Sequence, residues 1–296
     1  MEYKEFVETV KGEIRKRLQG ECDVTVKTDL RDNGVLADIL SIQPLKGASG
    51  AASVVPLRRY YRQYMSSQEL EACVETILRN FREENAILES YGFGADTVPW
   101  ENIRKLVYPV LLSTKKNWFL LESLVSRPVL DLSVTYIIRM KIQQGEPPLF
   151  TRITERLFDT WGISEEQLYQ TAMENLQKET PVLIDMDSLS GLVPTGERPE
   201  RIEKGKSYIL SNPAWYYGTS MLLNIKYLRK ISGGSSFYIL PMTIHELALV
   251  GVSEQTKAED MNAMAARGNE EVGEEYRFQD HAYYFDAETG EVTSCV

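Results

Sequence analysis

Residues 236–253 read SFYILPMTIHELALVGVS, two apolar runs separated by a short polar interruption. Runs of four to eight apolar residues bounded by turn formers are the pattern of buried strands. FYIL and LALVGV therefore predict two neighbouring strands. Pro241, with no N–H for a ladder, predicts the end of the first. Between them, Thr243-Ile244-His245-Glu246 fits T-x-x-E. In a capping box the Thr side chain accepts from the Glu backbone N–H, and the Glu side chain reaches back to the Thr N–H. The stretch is expected to form strand, single helical turn, strand.

His245 is one of two histidines in the chain, and Glu246 follows it. The pair looks like half of HExxH, which needs a second histidine one helical turn on so that both imidazoles face one metal. That position is Leu249, and His281 lies 36 residues from His245. The zinc-protease reading fails at its second ligand, and we expect no metal and no cofactor. The enzyme alternative is a hydrolase whose site is centred on His245 and Glu246, with Asp131, Tyr217 or His281 brought close by folding.

Outward from this stretch the chain alternates between the two periodicities. Phe6, Val7, Val10, Ile14 and Leu18 predict a helix over residues 3–18. CDVTVKT and VLADILSI flank Asn33-Gly34, whose residue types tolerate the positive φ of a tight hairpin. Strands are expected at 22–28 and 35–43, helices at 57–65 and 67–90, and strands at 104–113 and 129–140. Ser164 with Gln167 predicts a capped helix over 164–177. GASGAAS (47–53) reads as a link and QQGEPP (143–148) as a turn.

Residues 185–206 lack periodicity and are rich in turn formers, as a long loop or boundary would be. SYILSN then predicts a strand, 216–231 a helix, 257–272 a helix and HAYYFD a strand before a short final one. Helices mixed with hairpins imply an α+β class, with largely antiparallel mixed sheets. The expected organisation is an N-terminal region over 1–184 and a C-terminal region over 207–296, or one continuous domain.

Other motifs carry less. Lys206 and Ser207 follow Gly205 as in a phosphate loop, but Glu200 stands where its first glycine belongs, and a strand is expected to follow. STKK (113–116) has no companion motif. LRRYYRQY (57–64) predicts a helix whose arginine stems cover packed tyrosines. In SNPAWYYGTSMLLN (211–224), Trp215, Tyr216 and Tyr217 are binding candidates, set against ordinary core packing of aromatics.

The formal net charge is −10, and residues 254–296 hold 11 acidic against 3 basic side chains. Nucleic-acid backbones reward clustered Lys and Arg, so this balance disfavours them as partners. No window is apolar enough for a membrane span, and the charged, amphipathic MEYKEFVETVKGEIRKR lacks a signal-peptide core. The three cysteines show neither metal spacing nor a disulfide framework. A cytoplasmic protein is expected, with a protein partner as the class left open and any small-molecule ligand unspecified.

YILSNPAWYYGTSMLL, YILPMTIHELALVGV, Asp32-Asn33-Gly34 and Asp131-Leu132-Ser133-Val134-Thr135-Tyr136 together resemble an uncharacterised family of gut-dwelling clostridial bacteria, a domain of unknown function. Met261 to Val272 resembles its late helix only loosely. Where the family has paired serines, this chain has Met242-Thr243, which keeps a hydroxyl at the capping position and argues against a serine nucleophile there. The resemblance implies a bacterial cytoplasmic protein with a single-domain or two-lobed α+β fold. It implies no activity, cofactor or catalytic residue. The leading expectation is a soluble, non-catalytic interaction or accessory protein.

Overall fold

Asn33 and Gly34 adopt φ of +61° and +75°, as the Asn-Gly signal requires. They reverse the chain between two long strands in a computed structural model that describes residues 1–45, 52–94, 97–140, 148–189 and 199–296. Residues 47–51 of GASGAAS, 143–147 of QQGEPP and 190–198 of the 185–206 stretch lie outside the described residues.

Helix α1 (Tyr3–Arg17) leads into strands β1 (Cys22–Leu30), β2 (Leu36–Pro44) and β3 (Ser53–Pro56), then helices α2 (Leu57–Ser67), α3 (Leu70–Tyr91) and α4 (Trp100–Ile103). Next come β4 (Val107–Ser113), α5 (Trp118–Leu121), β5 (Arg127–Val129), β6 (Leu132–Met140) and β7 (Leu149–Arg152). Helices α6 (Glu155–Asp159) and α7 (Glu165–Lys178) precede β8 (Val182–Asp185), α8 (Met186–Leu189) and β9 (Ser207–Ser211). The chain ends with α9 (Ile225–Ser232), β10 (Phe237–Thr243), β11 (Glu246–Gly251), α10 (Ala258–Glu271), β12 (Tyr283–Phe285) and β13 (Val292–Ser294). The class is α+β, and every described strand pairing is antiparallel.

Two compact units form, one from residues 1–104 with 156–162 and one from 105–155 with 163–296. In the first, β1, β2 and β3 make a three-stranded sheet. The predicted apolar stripe of α1 is buried in one core with Val24, Leu40 and Ile42 of the sheet. Tyr60 and Tyr64 of α2 and Val74, Ile77 and Phe81 of α3 complete that core. Arg58, Arg59 and Arg62 stay exposed, with Arg58 over the Tyr3 ring and Arg59 over Tyr60, the stem-over-tyrosine arrangement the sequence suggested. Residues 156–162 join this unit through Trp161, whose ring packs on Trp100 and whose indole N–H donates to the Val98 carbonyl at 2.8 Å.

Gly12 interrupts α1 on its exposed face, and a Cβ there would meet nothing within 4 Å. Helical glycine costs about 1 kcal/mol relative to alanine. Gly12→Ala should therefore raise the melting temperature by roughly 4 °C, read by calorimetry; an unchanged or lower value would mean that α1 does not limit stability.

The second unit contains two sheets. A six-stranded sheet runs β13-β12-β10-β11-β9-β8, so β8 and β9 pair across the 185–206 stretch. The other sheet is centred on β6, with β4 along one edge and β5 and β7 sharing the opposite edge. This central position explains why β6 is buried on nearly all its residues rather than on alternate ones. Ser164 caps α7 with the capping box its sequence predicted, accepting from the Gln167 N–H while Gln167 accepts from the Ser164 N–H.

Three expectations change. The turn at Thr243–Glu246 is not helical: β10 and β11 form a hairpin joined by Ile244 and His245, with Thr243 opposite Glu246. The Thr243 hydroxyl accepts from the His245 N–H at 2.9 Å, two residues on rather than three. Second, β10 continues through Pro241 to Thr243, because β12 pairs with it only over Phe237–Ile239. Pro241 thus lies beyond that ladder, where a missing N–H is tolerated. Third, the expected helix at 216–231 divides into a 3₁₀ segment, Gly218–Leu223, and α9. Asn224 breaks it by capping α9, its side chain accepting from the Tyr227 N–H at 3.2 Å.

Candidate functional site

The SNPAWYYG loop meets the β10–β11 hairpin turn beside the end of β9. Asn212, almost fully buried, organises the loop. Its Oδ1 accepts from the Ala214 and Tyr216 N–H groups at 3.1 and 3.3 Å, and its Nδ2 donates to the Tyr216 carbonyl at 2.8 Å. Wrapped around this side chain, Trp215 and Tyr217 are both held at φ +52°, a conformation bulky residues rarely adopt. The turn directs the Tyr217 N–H at Nδ1 of His245, 3.1 Å away. Accepting that bond requires a lone pair on Nδ1, so the ring is neutral with its proton on Nε2.

The imidazole is stacked on Tyr216 at 4.9 Å between centroids and lies 5.5 Å from the Tyr276 ring. Phe150 of β7 packs against Tyr216 and Tyr217, and Arg152 donates to the Tyr217 hydroxyl at 3.0 Å. The turn backbone is held as firmly. Ser211 Oγ donates to the His245 carbonyl at 2.8 Å, Thr219 Oγ1 to the Ile244 carbonyl at 3.1 Å, and the Ile244 N–H to the Tyr276 carbonyl at 2.8 Å.

Of the residues expected to gather at His245, Tyr217 is in contact with it. Glu246 begins β11, where its Oε1 stands 3.5 Å from the Thr243 hydroxyl, the outer limit of a hydrogen bond. Trp215 is exposed, Tyr216 half-buried and Tyr217 buried. Asp131 and His281 pair with each other, Nε2 to Oδ2 3.4 Å. Asp131 follows Leu130, held at φ +53°, in the link between β5 and β6. Its carboxylate accepts from Tyr283 Oη at 2.8 Å and from Gln279 Nε2 at 2.5 Å. Burial, followed by the Asp131 charge, pushes the Tyr283 hydroxyl far above the ordinary phenol range, so it stays a donor.

Sequence reasoning assigned no site role to Tyr276, Phe150, Arg152, Asn212 or Gly218. The first three come from distant segments and carry no local signal. Gly218 had one, a glycine directly after an aromatic cluster, whose meaning needs the facing turn.

Among the described residues, no group of three or more His, Cys, Asp or Glu side chains is placed to hold a metal ion, and no helix is long and apolar enough to cross a membrane. A cavity of about 930 Å³ lies at the opposite end of β10 and β11, lined by Lys204, Ser236, Ser253, Glu254 and Tyr284 among others. His245 does not line it.

The model of DUF5688, a family of unknown function, matches residues 3–287. The chain belongs to DUF5688. The matched range takes in residues of both compact units, including those of the SNPAWYYG loop and the β10–β11 turn. No curated protein and no solved structure gives a significant match.

Proposed function

We propose that this DUF5688 protein is a soluble, non-catalytic interaction or accessory protein of the bacterial cytoplasm, from the gut clostridial lineage its motifs resemble. The observation that carries this reading is the use made of His245. Its Nδ1 is engaged by a backbone N–H and its ring packs against Tyr216 and Tyr276. A general base needs a nitrogen lone pair directed at a substrate proton. Here Nδ1 joins two loops, and the other nitrogen carries the proton. The exposed Trp215 and Tyr276 beside this junction, both 41% exposed, are of the residue types that anchor protein interfaces.

The second reading, a hydrolase centred on His245 and Glu246, is separable by experiment. Purified protein is assayed against ester, peptide and phosphate-ester substrates, in parallel with capture from the native host at physiological salt. We expect no turnover, and a partner whose complex re-forms from purified components and weakens at least tenfold in Trp215→Ala. Turnover abolished in a folded His245→Gln variant would overturn the proposal, as would failure of any complex to re-form. His245→Ala should cost about 2–3 kcal/mol of stability, by loss of an acceptor for a buried N–H and of a stacked ring.

A further inference from the structure

The walls of the cavity at the far end of β10 and β11 come from four segments. They are residues 204–205 ahead of β9, 234–236 leading into β10, 252–255 following β11, and Tyr284 of β12. Main-chain bonds tie these segments together. The Gly205 N–H donates to the Gly251 carbonyl at 3.0 Å, the Gly251 N–H to the Lys206 carbonyl at 3.0 Å, and the Val252 N–H to the Ser236 carbonyl at 3.4 Å. Ser236 Oγ accepts from the Ala287 N–H at 3.0 Å, and Thr256 Oγ1 from the Ser253 N–H at 3.0 Å. The Tyr284 ring is braced by Tyr238 at 5.1 Å between centroids. At about 930 Å³, the space falls within the range of small-molecule sites, roughly 300–1,000 Å³.

The walls are held, but the side chains on them are not. Among the described residues, Lys204, Ser235, Glu254 and Gln255 have no side-chain hydrogen-bond or ion-pair partner. The nearby Lys206, by contrast, pairs with Glu203 at 3.0 Å. A Cβ at Gly205 or Gly234 would meet nothing within 4 Å, so neither backbone is covered by a neighbouring side chain.

This lining narrows the ligand. An apolar molecule would find only Val252 and the Tyr284 ring among the described lining residues. A phosphate group calls for clustered cations, whereas Lys204 shares the cavity with the opposite charge of Glu254. Serine hydroxyls, a primary amide, a carboxylate and an ammonium are satisfied together by groups that donate and accept at once, as hydroxyls do. A sugar carries hydroxyls around its rim and a C–H face that suits an aromatic ring.

We propose that this cavity binds a short neutral oligosaccharide, with Tyr284 against a ring face and Lys204, Ser235, Glu254 and Gln255 bonded to its hydroxyls. The sugar is retained and not cleaved. Glycoside hydrolysis uses a pair of carboxylates, and Glu254 is the single one among the described lining residues. The site stands apart from the Trp215 surface, at the other end of the β10–β11 pair.

The test is calorimetry and ligand-observed NMR of the full chain with cellotriose, maltotriose and chitotriose. Triglycine and inorganic phosphate serve as the zwitterionic and anionic alternatives. We expect at least one trisaccharide to bind and be recovered intact. Its affinity should fall roughly tenfold in Glu254→Ala, as suits loss of a hydrogen bond to a charged group, and fall also in Gln255→Ala. Both positions are exposed, so the variants leave the sheet intact. Trp215→Ala should bind the sugar as wild type does, so this site and the partner surface stand or fall separately. No trisaccharide bound at millimolar concentration, a preference for triglycine or phosphate, or cleavage of a bound sugar overturns the site. So does an affinity unchanged in both cavity variants, or one lost in Trp215→Ala.

Discussion

Gly218→Ala should unfold the second unit at a temperature roughly 8–15 °C lower, a loss of about 3–5 kcal/mol. A Cβ at Gly218 would lie 2.0 Å from the His245 carbonyl oxygen and 2.2 Å from Ser211 Oγ. Neither neighbour can move cheaply. The carbonyl belongs to a hairpin turn pinned by Ser211, Thr219 and Tyr276, and the serine hydroxyl is the group holding that carbonyl. The backbone φ is not the cause, since no left-handed conformation is recorded at Gly218. The strain comes from close approach of two main chains, the situation in which a glycine cannot be replaced. Calorimetry of Gly218→Ala beside Gly12→Ala provides the contrast. A Gly218→Ala protein as stable as wild type would mean that the loop and turn do not meet as described.

The second large effect concerns Arg139 and Glu179, an ion pair with side chains only 9% and 11% exposed. The Arg139 guanidinium also lies 3.7 Å above the Tyr108 ring. Burial pushes the Glu179 carboxyl upward, with the Arg139 charge opposing it, and Oε2 is enclosed without a hydrogen-bond partner. Removing the arginine leaves a desolvated carboxylate with no counter-charge. Arg139→Met should therefore cost about 3–5 kcal/mol near neutral pH, measured by urea unfolding. With its folded proton affinity raised, Glu179 contributes less stability as pH rises, so the deficit should shrink towards pH 5 as the carboxyl takes up a proton. Arg139→Met with Glu179→Met should recover most of the loss, since a buried pair is commonly replaced by apolar residues at little net cost. A double variant no better than the single one would show that the pair is needed for more than charge compensation.

What could be read from the sequence was whatever a short segment decides by itself. Asn33-Gly34 and Ser164 with Gln167 form the expected turn and cap because all their partners lie within a few residues. Thr243 was misread for an instructive reason. The same hydroxyl serves a helix cap or a two-residue hairpin turn, and the pairing of β10 with β11 selected the second. The helix expected over 216–231 split because Asn224 found a capping role that periodicity does not register.

The candidate site lies further from sequence reasoning. Tyr276 is 31 residues from His245, and Asp131 is 150 from His281. Which histidine takes which neighbour is decided by sheet order, and sheet order depends on distant pairings. The reversal of roles, in which Tyr217 serves His245 through its backbone and not its hydroxyl, arises from a positive φ that no residue type here announces.

The placement of residues 156–162 bears on how the protein is made. As the chain leaves the ribosome, its first 104 residues contain the three-stranded sheet and its helices, but not the Trp161 that packs on Trp100 and caps the Val98 carbonyl. The N-terminal unit is thus completed only by residues 156–162, which follow the segments of β4 to β7 in the chain. The segments of the two units are interleaved along the chain, and a fragment that stops at residue 104 lacks the Trp161 partner of Trp100.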